Sequence, residues 1–144
     1  MDPETLIPHA GPMCWLDRVV DHDSAHTRCS LVVRQSTPLA GARGRVPAYA
    51  ALEYMAQTAA VHAALSAPRD AGAVPPGRVA LLGTRSLELA RAWLEPGESL
   101  VAEAAPVAAS AGGLAVFAAS VSDAKGREVA HARLNLYAGT AKDA

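Results

Sequence analysis

Aromatic residues are scarce in this chain: one Phe, two Trp and three Tyr, 4% of 144 residues. Its core must therefore be packed from Ala, Val and Leu, which supply most of the 51% apolar fraction. An excess of either charge is also missing. Thirteen Lys and Arg against fourteen Asp and Glu leave a net charge of −1, which removes the electrostatic case for nucleic acid or an anionic membrane surface as partner. No stretch reaches the ~18 uncharged apolar residues of a membrane span. The first residues, "MDPETLIPHAGP", lack the basic start and apolar run of a signal peptide. Cysteine is limited to Cys14 and Cys29, outside any Cys-x-x-Cys pattern, and two buried free thiols in a cytoplasmic protein are expected rather than a disulfide. There is no Gly-rich phosphate loop before a helix and no Gly-x-Ser-x-Gly elbow. His22, Asp23 and His26 are spaced like metal ligands, but they stand in a turn with no further soft ligand nearby, so neither a metal nor a cofactor is expected.

What is present is an ordered change of hydrophobic period over a length that suits a single domain, residues 1–144. Residues 12–23 are rich in β-branched and apolar types and read as a strand; residues 26–35 alternate and read as its hairpin partner. Residues 36–47 hold two prolines and two glycines without periodicity and read as loop. Then comes "AYAALEYMAQTAAVHAAL", residues 48–65, made of strong helix formers behind Pro47 and ending before a Pro/Gly-rich turn region. This helix is apolar nearly all round, the mark of one wrapped on several sides. Four more strands are expected at 78–91, 96–109, 113–127 and 128–139. The last alternates, with Val129, His131, Arg133, Asn135 and Tyr137 on one side and Ala130, Ala132, Leu134 and Leu136 on the other. Two strands, one buried helix and four strands describe an α+β fold in which a curled antiparallel sheet surrounds the helix.

That order, and four sequence words within it, resemble the hotdog-fold β-hydroxyacyl-acyl-carrier-protein dehydratases, and most of all their relatives in aryl-polyene gene clusters. "LIPHAGPMCWLDRVVDHD" is similar to the family's opening Leu-Pro-His … Leu-Val-Asp-Arg-Val, and "LEYMAQTAA" to its Glu-Ala-Met-Ala-Gln helix. "LLGTRSLELARAWLEPGESL" resembles the strand with an inner Gly and a Pro-Gly-Asp turn, and "GREVAHARLNLY" the last strand. The resemblance spans roughly residues 5 to 138. It implies dehydration of a 3-hydroxyacyl chain delivered on the phosphopantetheine arm of an acyl carrier protein. The site would be a tunnel between two hotdog protomers, in a homodimer or a heterodimer. The catalytic acid would be Glu53, whose charged form an apolar tunnel disfavours. Gln57, one turn later on the same face, would orient the carboxylate or bind a water. The N–H groups of Ala48 and Tyr49 would polarise the thioester carbonyl, and Gly83 would lie by the tunnel, where a glycine inside a strand suits close approach by another chain or a ligand. Arg43, Arg45 and Arg78 are candidates for gripping the carrier or its phosphate.

The family's loop histidine is missing. It stands fourteen residues before the acid, and counting back from Glu53 lands on Leu39; no histidine occurs between His26 and His62. Three readings stay open. A partner chain supplies the base, as the second hotdog protein of aryl-polyene clusters would; His9 substitutes; or the chain is a non-catalytic acyl-binding or scaffold subunit. A thioesterase, the other common hotdog activity, would use the same carboxylate to position water. Glu53 could also be a buried structural carboxylate paired with an arginine such as Arg85. His62 lies nine residues past Glu53, on the far side of the helix, and is expected in the core or an interface. His22, His26 and His131 are expected to be solvated.

Overall fold

The apolar stretch at the centre of the sequence does form a helix, and the strands close around it. The computed structural model describes residues 1–7, 13–34, 45–66, 79–109 and 112–138. Their strands are β1 (Arg18–His22), β2 (Thr27–Val32), β3 (Val46–Pro47), β4 (Val79–Leu89), β5 (Trp93–Leu94), β6 (Ser99–Ala109), β7 (Leu114–Asp123) and β8 (Glu128–Ala138). Helix α1 (Ala51–Ser66) follows a 3-10 turn over Ala48–Ala50. Six strands form one antiparallel sheet in the order β1-β2-β6-β7-β8-β4, and β3 pairs with β5 in a separate two-residue ladder. The α+β hotdog architecture expected from the sequence is therefore present.

Helix α1 packs against β6, β7, β2, β8 and β4. Ala51 and the whole run from Tyr54 to His62 are buried, which accounts for a helix with no polar face. The facing strands are built to match: Ala102 and Ala104 on β6, Ala119 on β7, and Ala130 and Ala132 on β8 are all buried. An alanine methyl gains only about 0.8 kcal/mol on burial. Small residues on both surfaces instead let helix and sheet approach closely, and dispersion is then summed over many atoms. The larger volumes come from Tyr54, Met55, Leu94, Leu100, Leu134 and Leu136. Only Trp15, Tyr54 and Phe117 bring aromatic rings of Trp, Tyr or Phe into this core.

Local chemistry fixes the ends. Between β5 and β6 the chain turns at Glu95–Glu98, with Pro96 second, Gly97 third at φ 85°, and the Glu98 N–H donating to the Glu95 carbonyl at 3.1 Å. Positive φ at the third position is what makes glycine the fitting residue there. Asp17, just before β1, accepts the Val32 N–H at 2.7 Å and pairs with Arg34, pinning the end of β2. Cys14 and Cys29 are free and buried, as expected; desolvation pushes the Cys29 thiol up to about 11.

Candidate functional site

Where β3 leads into α1, Pro47 is extended (φ −56°, ψ 138°) and three residues of 3-10 turn precede the first α-helical turn. The turn is tied to the β5 side of the fold, since the Ala48 N–H donates to the Ala92 carbonyl at 2.9 Å. Glu53 stands in the first turn of α1 and is partly buried. Gln57 is fully buried one turn later, and its amide has three partners. Its Oε1 accepts the Trp15 N–H at 3.0 Å, while its Nε2 donates to the Met13 carbonyl and to Glu53 Oε1, both at 2.9 Å. These partners fix the amide's orientation. Rotating it by half a turn would set two donors together at Trp15 and oxygen against oxygen at Met13 and Glu53. Gln57 therefore does two things: it holds one oxygen of the candidate acid and it staples the segment before β1 to the helix.

The other expected site residues divide. Tyr49 is 53% exposed at the helix entry. Ala48 is fully buried with its N–H committed to Ala92, which corrects the expectation that both amides face a thioester oxygen; of the pair, Tyr49 alone is retained. Gly83 lies on β4 beside a bulge, and a Cβ built there would meet nothing within 4 Å. Among the described residues, no contact demands glycine at that position. His9 lies outside the described residues, as do Arg43 and Arg78. Arg45 is engaged within its own chain, its guanidinium 5.0 Å from the Trp93 ring centroid and its Nε 3.4 Å from Glu95. Arg85 is aligned with Arg133 across β4 and β8, two exposed residues on the face turned away from the buried Leu134, so it is not the structural partner of Glu53.

The histidines at the other end of α1 depart from expectation. His62 is buried as foreseen, but His22 is not simply solvated. Thr27 Oγ1, itself buried, lies 2.6 Å from His22 Nδ1 and 2.8 Å from His62 Nδ1. The two imidazole rings are 5.2 Å apart, and His62 meets the edge of Phe117 at 5.8 Å. One hydroxyl proton serves two ring nitrogens, so one imidazole accepts from Thr27 and the other donates to it. The signal for this cluster was available only in the pairing of His22 with Thr27 across the hairpin. His26 is tied instead to Asp21 and Asp23, and His131 to Glu88 and Glu128.

Burial, and then the neighbouring His22, hold the His62 pKa below its ordinary value. The unfolded chain therefore binds a proton at His62 more readily than the native one. Stability is intact above about pH 6.5 and falls as the pH drops from there through the native pKa. His131, raised chiefly by its bond to Glu128, acts in the opposite sense, so the test is a difference. Denaturant titrations between pH 7 and pH 5 should give a steeper loss for the wild type than for His62→Gln, by at most about 1.4 kcal/mol per pH unit. Parallel profiles would show that His62 does not carry this dependence.

Among the described residues no group of three or more His, Cys, Asp or Glu side chains could hold a metal ion, and no helix is long and apolar enough to cross a membrane. The family model described as "ApeP-like: ApeP dehydratase" matches residues 1–144. No curated protein matches by sequence. Among solved structures, the chain is similar to one in the dehydratase heterocomplex ApeI:P from Xenorhabdus doucetiae, with a TM-score of 0.88 and 22% identity over 99% of this chain and 94% of that one. A hypothetical thioesterase with coenzyme A from Streptococcus pneumoniae TIGR4 gives 0.64 and 12% identity over 85% of each chain. The PaaI protein of the E. coli phenylacetic acid degradation operon gives 0.62 and 10% identity over 84% of this chain and 78% of that one.

Proposed function

As the chain belongs to the ApeP-like dehydratase family, matched over its whole length, we propose that it serves in dehydrating a 3-hydroxyacyl chain on an acyl carrier protein, in aryl-polyene or similar synthesis. The observation that carries this reading is the Glu53–Gln57 pair at the entry of α1. A base removes the proton on the carbon next to the thioester carbonyl. The electron pair moves to the carbonyl oxygen as an enolate, facing the N–H of Tyr49 at the start of the helix, where donors favour negative charge. As the enolate collapses, the C2–C3 double bond forms, the C3–O bond breaks, and Glu53 gives its proton to the departing hydroxyl. Water and the 2-enoyl thioester result.

The base comes from a second hotdog chain, with His9 the alternative within this one. Two features support a shared site. Strand β4 ends the six-stranded sheet, with nothing paired to its outer edge among the described residues, and an edge of that length is normally covered. It also leaves Leu81, Leu82 and Leu89 substantially exposed, Leu82 at 58%. A partner lying along β4 would cover them and bring its own side chains toward the start of α1. The free buried thiols suit a reducing compartment, and the cytoplasm is the proposed location.

The deciding experiment is a mass-spectrometric assay of a 3-hydroxyacyl carrier protein incubated with this protein alone and together with a second hotdog dehydratase chain of the ApeI type. Loss of one water from the carrier-bound chain only in the combined reaction is the expected result. Dehydration by this chain alone would return the base to His9 or another residue here. Release of free thiol from an acyl thioester would mark a thioesterase, and no change in any combination would leave an acyl-binding subunit.

A further inference from the structure

The outer face of the sheet carries a charge arrangement left unbalanced among the described residues. Arg85 on β4 stands directly across from Arg133 on β8. Both are exposed, and among the described residues neither forms an ion pair. The nearest acid along β4, Glu88, lies past a bulge and pairs with His131 at 3.1 Å. Like charges directly opposite on a sheet are destabilising, so this pair costs the isolated protomer something. Next to Arg85, at that bulge, Ser86 has φ 56°, an uncommon conformation for a residue other than glycine and one that collects at functional positions.

Place matters more than charge alone. Arg85 is one residue from the middle of Val79–Leu89, whose outer edge has no strand paired to it among the described residues. If β4 paired antiparallel with its own copy about its middle, the two Arg85 residues would become diagonal neighbours on one face, about 7–8 Å apart. An Arg133 would flank each. At that separation each such pair weakens association about threefold even in fully aqueous surroundings. The opposite face of the same strand, with Leu81 and Leu89 exposed and aligned with buried Leu136 and Ala130, favours association with any complementary apolar surface. Apolar area thus supplies attraction, and the arginines discriminate.

We infer that the Arg85–Arg133 pair on the edge of the sheet selects against a second copy of this chain and for a different hotdog protomer carrying carboxylates on the outer face of its own edge strand. The inference rests on the proposal that a partner lies along β4, and it names the chemistry of that partner.

Sedimentation of four samples in 0.05 M and 0.5 M NaCl (about 14 Å and 4 Å screening lengths) tests it, with circular dichroism to establish that each variant is folded. The samples are wild type, R85A/R133A, R85E/R133E, and an equimolar mixture of wild type with R85E/R133E. Self-association of the wild type should be about tenfold weaker than that of R85A/R133A in low salt, with the gap closing in high salt. The mixture should form one-to-one dimers in low salt at concentrations where wild type and R85E/R133E separately do not. Dimers equally tight in wild type and R85A/R133A at both salts would overturn the charge selection while leaving edge pairing in place. Monomers in every sample, the mixture included, would overturn it together with the docking along β4. Neither result bears on Glu53, so the dehydratase reading stands or falls separately.

Discussion

Glu53→Gln is expected to lower the dehydration rate of the complete enzyme by about 10²–10⁴-fold with little change in melting temperature. The amide has nearly the shape of the carboxyl, and its oxygen can still accept from Gln57 Nε2, which sits 2.9 Å from Glu53 Oε1. What it cannot do is hand a proton to a departing hydroxyl. Gln57→Leu separates chemistry from architecture. It also frees the acid from its positioning partner, but it strips the buried Trp15 N–H and Met13 carbonyl of the groups they bond, at about 1–3 kcal/mol for each one left unsatisfied. Single-turnover mass spectrometry beside thermal melting should therefore show activity lost without stability in Glu53→Gln, and both lost in Gln57→Leu. A Glu53→Gln enzyme within fivefold of wild type (about 1 kcal/mol) would remove Glu53 from the proton-transfer step.

These two residues could be found in the sequence because their relation is local. Positions four apart on a helix share a face, and an acid followed by an amide inside an otherwise apolar helix stands out without tertiary information. The same holds for the strands, whose alternation reports which side is covered. Where the sequence misled, distance or irregularity was responsible. Val129 was grouped with the outward residues of β8, yet it is buried. A register shift at Val121/Ser122 pairs Ala130 and Glu128 with adjacent residues of β7, so Val129 is the extra residue of a bulge and changes sides. The β3–β5 ladder is two residues long and includes Pro47, too short for any period to appear. The partners of Gln57 at Met13 and Trp15 are more than forty positions away, and no spacing rule reaches them. The missing base histidine is a different case, because an absence in one chain says nothing about which chain supplies the group.

The core makes the second large prediction, and it follows from the scarcity of rings. Met55→Ala should cost about 2–5 kcal/mol, toward the upper end of that range. Met55 is fully buried and is one of the few large side chains that α1 contributes. Its neighbours one turn away on the same face, Ala51 and Ala59, are fully buried alanines. An alanine has no side-chain torsion with which to lean into a void. The helix is held by five strands and cannot easily shift to close the gap. The cavity should therefore persist, and its unmet dispersion contacts add to the lost transfer energy. For a domain of this length the melting temperature should fall by about 15 °C. Met55→Leu, which nearly preserves the volume, should lose less than about 1.5 kcal/mol. Chemical denaturation of the two variants beside wild type decides the matter. Equal and small losses would mean that the alanine-rich surfaces collapse after all, and that close approach of helix and sheet, rather than the few large side chains, sets the stability of this fold.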